Sequence, residues 1–213
     1  MKFVLSYSCG KDSTLALCRL TAQGHEAAGL LVMMNEAAGR SWFHGADAAL
    51  LARYEDALGL PLLPVPARGA DYHLAMEAAL RRAKDLGAEA AAFGDIDLAE
   101  NRRWCEDRCA AAGLPAVFPL WGEDRAALVR EALDTGIRCL IKAVDPARLP
   151  RSLLGRFLDR DTLREIAAQG ADLCGENGEY HTLAVDGPVF RHALPFQTGR
   201  TLDLRGCSVV EIL

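Results

Sequence analysis

The chain begins MKFVLSYSCGKDSTLALCRL (residues 1–20), and this stretch decides the fold class. A short apolar run, residues 3–5, is followed by SYSCGKDS (residues 6–13) and then by a helix-like pattern. Residues 6–13 carry a glycine, a lysine, an aspartate and several hydroxyl groups, which is more polar chemistry than a helix cap needs. We therefore expect a strand–loop–helix unit whose loop holds a charged ligand, with a plain polar cap as the alternative.

Helix-like segments that end at glycine alternate with short apolar runs along most of the chain. Glycine just past a helix takes the left-handed conformation that closes it at the lowest cost. The six glycines are Gly24, Gly59, Gly87, Gly113, Gly136 and Gly170. The apolar runs are continuous, as in strands covered on both faces. The alternation predicts an α/β fold with a Rossmann-like (HUP-type) parallel sheet and helices on both faces.

The pattern changes near residue 145, where an arginine-rich stretch with two prolines replaces the regular alternation. The final segment TLDLRGCSVVEIL (residues 201–213) alternates as strands do. We therefore predict two domains. The first, over residues 1–125, contains the parallel sheet, and the second, over residues 126–213, is a smaller α+β domain.

Composition narrows the classes of function. The net charge of −5 argues against a broad nucleic-acid interface, which needs clustered lysine and arginine. No apolar run approaches the roughly 20 residues of a membrane helix, and the N-terminus lacks the pattern of a secretory signal. The seven cysteines are scattered and odd in number, which favours reduced thiols and a cytoplasmic protein.

The polar segment after the first strand has the chemistry of a phosphate site. Ligands of open α/β sheets bind at the carboxyl ends of strands, and a helix N-terminus attracts phosphate. Gly10 allows close backbone approach, while Ser8 and Ser13 can donate hydrogen bonds. Lys11 can neutralise phosphate charge, and Asp12 can hold a metal or cap the helix. Neither GxxxxGK[ST] nor GxGxxG is present, so this is neither a Walker A loop nor a dinucleotide fingerprint.

The SCGKDS segment (residues 8–13) resembles the PP-loop, SGGKDS, of the ATP pyrophosphatases. That superfamily binds ATP in a Rossmann-like domain and splits it to AMP and pyrophosphate. Cys9 departs from the second glycine of the pattern and puts a side chain where the backbone normally lies bare. The resemblance implies that residues 1–125 bind ATP. The implied nucleotide-binding residues are Ser6, Ser8, Cys9, Gly10, Lys11, Asp12, Ser13, Gly94 and Asp95.

Two more polar motifs lie further along the chain. GDI (residues 94–96) follows a predicted strand, and we expect Asp97 to cap the next helix, with Glu100 completing a capping box. GENGEYHT (residues 175–182) crowds carboxylates, an amide, a phenol and an imidazole around two glycines. Local chemistry leaves two interpretations open for this segment: a ligand site, or an Asn-Gly hairpin turn with solvated glutamates.

GENGEYHT, together with GDI, PLW (residues 119–121) and LGR (residues 154–156), is similar to the diphthine–ammonia ligase family, a branch of the PP-loop enzymes. The similarity runs from residue 6 to about residue 190, and the GDI region looks like that of bacterial relatives. It implies a two-step amidation: ATP and Mg²⁺ convert a substrate carboxylate to an acyl-adenylate, and ammonia then displaces AMP.

The resemblance also implies roles for individual residues. The catalytic residues would be Lys11, Asp12, Glu176 and Glu179, with Asp12 also a Mg²⁺ ligand. The substrate-binding residues would be His44, Arg102, Arg156, Gly175, Glu176, Asn177, Glu179 and His181. The acceptor would be the diphthine of elongation factor 2 where the source cell makes it, and otherwise an unidentified carboxylate.

Two other functions stay open at this point. One is a nucleotide sensor without catalysis, and the other is a PP-loop enzyme that thiolates tRNA through Cys9 or Cys174. Cys105 and Cys109 lie four residues apart on a predicted helix without partner ligands, so we expect packing there and not a zinc site. The oligomeric state is open, with a homodimer as one option.

Overall fold

A computed structural model describes residues 1–42, 45–204 and 206–213. His44, a predicted substrate-binding residue, lies outside the described residues. The strands are β1 (Lys2–Ser6), β2 (Glu26–Asn35), β3 (Arg40–Ser41), β4 (Leu62–Ala67), β5 (Ala90–Ala92), β6 (Ala116–Val117), β7 (Arg138–Val144), β8 (Tyr180–Asp186), β9 (Thr198–Leu204) and β10 (Cys207–Ile212). The helices are α1 (Lys11–Ala22), α2 (Ala48–Leu58), α3 (Tyr72–Asp85), α4 (Ala99–Ala112), α5 (Arg125–Asp134) and α6 (Arg160–Ala168).

The predicted parallel sheet is confirmed, with β1 at its centre. β1 pairs in parallel with β2 on one side and with β5 on the other, while β4 extends the sheet beyond β2 and β6 beyond β5. β3 is a short antiparallel addition at the end of β2. The chain therefore adds β2 and β4 on one side of β1 and then β5 and β6 on the other side. The loops after β1 and β5 separate at this switch point, where open α/β sheets bind ligands.

Helices cover both faces of this sheet, as its apolar strands predict. Along β1, Phe3 and Leu5 join a hydrophobic cluster with residues of α1, α2 and α5. Val4 faces the other way and joins a second cluster with residues of α3 and α4. Because successive side chains of a strand alternate between faces, a strand covered on both faces has to be apolar throughout.

The C-terminal part forms a second sheet of four antiparallel strands in the order β8-β7-β10-β9. Its residues Leu140, Leu183 and Val210 belong to the same hydrophobic cluster as Phe3 and Leu5 of β1. The smaller α+β portion is thus present and shares a core with the parallel sheet. A domain boundary near residue 125 stays a prediction.

The predicted helix ends agree with the structure, because all six glycines have positive φ, between 62° and 94°. The predicted cap of α4 is wrong. α4 begins at Ala99 after Leu98, and no side chain caps it. The Asp97 carboxylate instead accepts two hydrogen bonds from Arg125, at 2.6 and 2.7 Å. A bidentate bond to a guanidinium is stronger than a bond to a backbone N–H, so the ion pair takes the place of the cap.

All seven cysteines are free, and Cys105 and Cys109 are buried in the core as expected. Their thiols contribute packing to the cluster beneath α3 and α4. Among the described residues, the helices are too short or too polar to cross a bilayer.

Candidate active site

The SCGKDS segment connects β1 to the N-terminus of α1. Gly10 precedes the helix in an extended conformation and, as a glycine, provides no side-chain cap. The segment is shaped by its own serines, since Ser8 Oγ and Ser13 Oγ lie 3.1 Å apart and Ser13 Oγ donates to Gly10 O at 3.2 Å. The positive end of the α1 dipole is therefore open toward the carboxyl edge of the sheet, where it favours an anion.

Strand β8 of the second sheet braces this segment from behind. Thr182 Oγ1 accepts a hydrogen bond from the backbone N–H of Lys11 at 3.1 Å, and Ala184 N donates to Cys9 O at 2.8 Å. These contacts join residues more than 170 positions apart in sequence. The loop geometry thus depends on both sheets, and the first 125 residues do not provide all of its contacts.

Lys11 is a buried ammonium at the floor of the site. Its Nζ lies 2.7 Å from Asp12 Oδ2 and 5.7 Å from the centre of the Tyr180 ring. Burial disfavours its charge, but the Asp12 carboxylate leads the interactions that outweigh burial and hold the pKa of Lys11 well above its usual range. Lys11 is therefore a fixed positive charge.

Cys9 occupies the position at which the sequence departs from the PP-loop pattern. It is the one non-glycine residue with positive φ, at 67°, in the part of the chain that the structure describes. Its side chain is fully buried in the core and does not line the cavity described below. Burial raises the pKa of its thiol to about 12. The side chain therefore leaves the ligand face of the loop bare, and a buried neutral thiol is a poor nucleophile.

A cavity of about 630 Å³ opens above this segment at the switch point of the sheet. Ten predicted site residues line it: Ser6, Ser8, Lys11, Asp12, Ser13, Gly94, Asp95, Gly175, Glu176 and His181. Six others are described but lie outside the lining: Cys9, Gly10, Arg102, Arg156, Asn177 and Glu179. The volume is in the range of small-molecule sites in proteins.

The GDI loop (residues 93–98) follows β5 and packs directly against the start of α1. A Cβ on Gly94 would lie 2.9 Å from the backbone nitrogen of Ser13, so only glycine allows this approach. Asp95 follows it on the cavity wall, and burial raises the pKa of its carboxyl group. Cys105 Sγ lies 3.9 Å from Asp95 Oδ2. The loop thus places a carboxyl group beside the anion-attracting helix end.

The acidic loop (residues 171–179) follows helix α6 and leads into β8. Because it does not connect two strands, the hairpin interpretation of its Asn-Gly sequence is wrong. Two carboxylates determine its shape by accepting backbone N–H groups. Asp172 accepts from Cys174 N at 2.9 Å and from Glu176 N at 3.3 Å. Glu179 accepts from Asp172 N at 3.3 Å and from Asn177 N at 3.1 Å.

Glu179 and Glu176 therefore differ in environment despite their similar place in the motif. Glu179 is buried, pairs with Arg148 at 3.2 Å and does not line the cavity. Glu176 faces the cavity, where burial and then the Asp12 carboxylate raise its pKa to about 7. Of the two, Glu176 has the position and the pKa of a general base near neutral pH.

Asp12, Cys174 and Glu176 each place a ligand atom within 4.8 Å of the others. The two carboxylates suit Mg²⁺, which prefers oxygen ligands. The Cys174 thiol, 3.7 Å from Asp12 Oδ1, is a soft ligand, and burial raises its pKa to about 12. The donor set therefore fits Mg²⁺ through Asp12, with the Glu176 carboxyl group and the thiol beside it.

The two arginines predicted to bind substrate lie elsewhere. Arg102 stacks over the Trp121 ring, 4.7 Å from its centre, and pairs with Glu106 at 2.7 Å. Arg156 pairs with Glu165 at 2.6 Å on the surface. Neither side chain lines the cavity, so the geometry gives their predicted roles no support.

Sequence reasoning missed Tyr72 and Trp104 in the cavity wall and Arg125 just outside it. Tyr72 is the first residue of α3 and contacts Trp104, with ring centres 5.6 Å apart. The first turns of helices in α/β folds adjoin the carboxyl ends of strands, so the position of Tyr72 was a usable signal. Trp104 lies in the second turn of α4, and Arg125 does not line the cavity, so position in the sequence marked neither of them.

Two family models match this chain, one in its N-terminal part and one in its C-terminal part. Residues 1–116 match the family model of the diphthamide synthase N-terminal domain, and residues 124–205 match that of the C-terminal domain. A zebrafish (Danio rerio) protein named diphthine–ammonia ligase is 26% identical, over 95% of this chain and 89% of the relative. A protein of the same name from Schizosaccharomyces pombe is 26% identical over 90% of this chain, which spans 35% of that relative.

A solved structure from Methanocaldococcus jannaschii, described as a predicted subunit of tRNA methyltransferase, aligns with a TM-score of 0.48 and 15% identity. The alignment covers 88% of this chain and 98% of that one. The family assignment rests on the two domain matches, which together extend over most of the chain. This protein belongs to the diphthamide synthase family.

Proposed function

We propose that this protein is an ATP-dependent ligase that joins ammonia to a substrate carboxylate and releases AMP and pyrophosphate. One observation supports this proposal most directly: the same cavity contains a buried ammonium, Lys11, and a carboxyl group with a pKa of about 7, Glu176. Lys11 lies at the N-terminus of α1. The ammonium suits a triphosphate, and the carboxyl group suits deprotonation of an attacking amine. The relatives named diphthine–ammonia ligase support the same reaction.

In the first step, an oxygen of the acceptor carboxylate attacks the α-phosphorus of ATP. The bond between that phosphorus and the bridging oxygen breaks, and pyrophosphate leaves with the electron pair. Lys11 and the N-terminus of α1 would stabilise the charge that moves onto the leaving group. The hydroxyl groups of Ser8 and Ser13 would turn from their present partners, each other and Gly10 O, to donate hydrogen bonds to the phosphates. Mg²⁺, when bound through Asp12, would neutralise further phosphate charge and leave Glu176 available for the second step.

In the second step, the nitrogen of ammonia attacks the acyl carbon of the adenylate. AMP leaves, and the nitrogen loses a proton as the amide forms. Glu176 is the residue we assign to that proton, because its carboxyl group faces the cavity with a pKa of about 7. His181 also lines the cavity. Burial and the nearby Lys11 lower its pKa, so its imidazole is neutral.

The relatives' names point to diphthine as the acceptor. We propose a diphthine-bearing elongation factor where the source cell makes one, and another carboxylate where it does not. Arg102 and Arg156 lie outside the cavity, so we base no acceptor contact on them.

Incubation of the protein with ATP, Mg²⁺, ammonium and a panel of carboxylate acceptors tests the proposal. We expect AMP and pyrophosphate in equal amounts, and ¹⁵N from labelled ammonium in the product amide. Tight ATP binding without turnover across the panel would instead identify a nucleotide sensor. Loss of activity in Cys174→Ser together with a sulfur-modified RNA product would identify a thiolating enzyme.

A further inference from the structure

Arg125, the first residue of α5, joins two loops that border the cavity. Its Nε and NH2 groups donate to the two oxygens of Asp97 in the GDI loop, at 2.6 and 2.7 Å. Its NH1 group donates to Asp172 Oδ2 in the acidic loop at 2.5 Å and to Asn177 Oδ1 at 3.3 Å. One guanidinium therefore spans a loop of the parallel sheet and a loop of the C-terminal part.

The residues that Arg125 binds are the supports of cavity-lining groups. Asp97 lies two positions after Asp95, and Asp172 accepts the backbone N–H groups of Cys174 and Glu176. Arg125 itself does not line the cavity. Arg125 therefore links the loop that carries Asp95 to the loop that carries Glu176 from outside the cavity lining.

The chemistry of this contact requires arginine. The planar guanidinium can offer one edge to Asp97 and the remaining nitrogen to Asp172, whereas a lysine ammonium is a single point charge. The Arg125 side chain is 24% exposed and that of Asp172 is 13% exposed. Removal of the guanidinium would leave two carboxylates facing each other across a partly buried gap, and they would repel.

We propose that Arg125 is a positioning residue that clamps the GDI loop to the acidic loop and so holds Glu176 across the cavity from the nucleotide loops. The kinetic part of this inference rests on the proposed ligase function, because a misplaced base slows amide formation. A displacement of about 1 Å can cost roughly 100-fold in rate. The structural part, the order of the acidic loop, is independent of any activity.

The test compares Arg125→Ala and Arg125→Lys with Arg160→Ala, a matched control whose arginine forms an exposed ion pair with Asp134 at 2.6 Å. In Arg125→Ala we expect amide formation to fall about 10- to 100-fold while the ATP dissociation constant changes less than threefold. Added guanidinium should restore part of the rate, and an equal concentration of sodium should not. Arg125→Lys should stay impaired, and Arg160→Ala should match the wild type.

Hydrogen exchange measures the clamp without the reaction. The backbone amides of residues 172–178 should exchange at least tenfold faster in Arg125→Ala than in the wild type, while those of β8 keep their protection. If Arg125→Ala does not fold, Asp97→Asn weakens the same clamp from the other side and should give the same pattern with a smaller change.

The outcomes separate the two hypotheses. Unchanged exchange in residues 172–178, or guanidinium-independent loss of ATP binding and rate together, would overturn the clamp. A wild-type protein that forms no AMP with any acceptor would overturn the ligase proposal, and the exchange experiment would still decide whether Arg125 orders the acidic loop.

Discussion

The SCGKDS segment and the acidic loop face each other across one cavity, yet they are built in different ways. The first is built mostly by neighbours in sequence, namely a strand, a glycine, two serines and a helix start, with two hydrogen bonds to β8 behind them. The second has no regular structure and is shaped by side chains, with Asp172 and Glu179 holding its backbone. Arg125 and Arg148 neutralise these two carboxylates from distant parts of the chain.

This difference separates the expected consequences of substitution. A change in a cavity-facing side chain of the SCGKDS segment, such as that of Lys11, should act on phosphate binding and leave the fold intact, because the strand, the helix and β8 define the turn. A change in the acidic loop should act on loop order first and on chemistry through it. Glu176 is the exception, since its side chain faces the cavity and supports no backbone group in the described structure.

The largest expected effect is that of Lys11→Ala. Loss of the buried ammonium should reduce pyrophosphate release by about 10²- to 10³-fold, because the described cavity lining contains no second lysine or arginine. Release is measured with a coupled phosphate assay at saturating ATP. Lys2→Ala, which removes an exposed lysine paired with Glu26, is the control and should keep the wild-type rate. A Lys11→Ala rate within threefold of wild type would contradict the phosphate role.

Glu176→Gln should be next in size. Amide formation should fall about 100-fold while pyrophosphate release is largely retained, because the substitution removes the base for ammonia and spares Lys11. The deprotonated carboxylate is the active form and its pKa is about 7, so the wild-type rate should fall as pH drops below about 7. With the concentration of free NH3 held constant across the pH range, the variant should lack this dependence. An unchanged amide rate would remove Glu176 from the reaction.

Glu179→Gln tests the structural carboxylate of the same motif. Both oxygens of Glu179 accept backbone N–H groups, so the amide nitrogen of glutamine must face one of these donors. We expect the free energy of unfolding in urea to fall by about 1–3 kcal/mol. Glu165→Gln, at an exposed pair with Arg156, should leave the unfolding midpoint unchanged. Wild-type stability in Glu179→Gln would mean that the acidic loop is held by other contacts.

Substitutions of Cys9 distinguish the cost of its left-handed backbone conformation from the contribution of its buried side chain to stability. Cys9→Gly should change stability by less than about 1 kcal/mol, since relief of the left-handed conformation offsets the lost burial of the thiol. Cys9→Val should destabilise by about 2 kcal/mol or more, because a β-branched side chain is strained at positive φ. Cys139→Val, at a buried cysteine of β7, is the matched control. Equal stabilities of the glycine and valine variants would contradict the observed φ.

Arg156→Ala should have the smallest effect. Its side chain pairs with Glu165 on the surface and lies outside the cavity, so steady-state constants for ATP and acceptor should stay within twofold of wild type. A selective rise in the acceptor KM would show that the acceptor extends beyond the cavity to the C-terminal part. That result would restore the role that the LGR motif predicted for this arginine.

Much of the fold could be predicted from sequence because its signals are local. Continuous apolar runs such as residues 3–5 require cover on both faces, and a glycine such as Gly59 ends its helix by left-handed geometry alone. The failure of Asp97 to cap α4 could not be predicted, since it depends on Arg125, which binds Asp97 and lies 28 positions away in sequence. Local pattern contains no information about such a competitor.

The site followed the same rule. Lys11 and Asp12 were marked by their place after β1, and the structure puts both on the cavity wall. Glu176 and Glu179 look alike in sequence, and only the folded loop distinguishes the side chain that faces the cavity from the one that holds the backbone. Tyr72 and Trp104 reach the cavity from α3 and α4. Their aromatic character did not indicate a function, although the position of Tyr72 at the start of its helix could have.

A crystal structure with Mg²⁺ and an ATP analogue that has a methylene bridge between the α- and β-phosphates is the most direct test. We expect phosphates within hydrogen-bond distance of Lys11 Nζ and of the backbone N–H groups that follow Lys11 in the first turn of α1, with the α-phosphorus open toward Glu176. A nucleotide bound elsewhere, with the SCGKDS segment in contact with solvent alone, would contradict it.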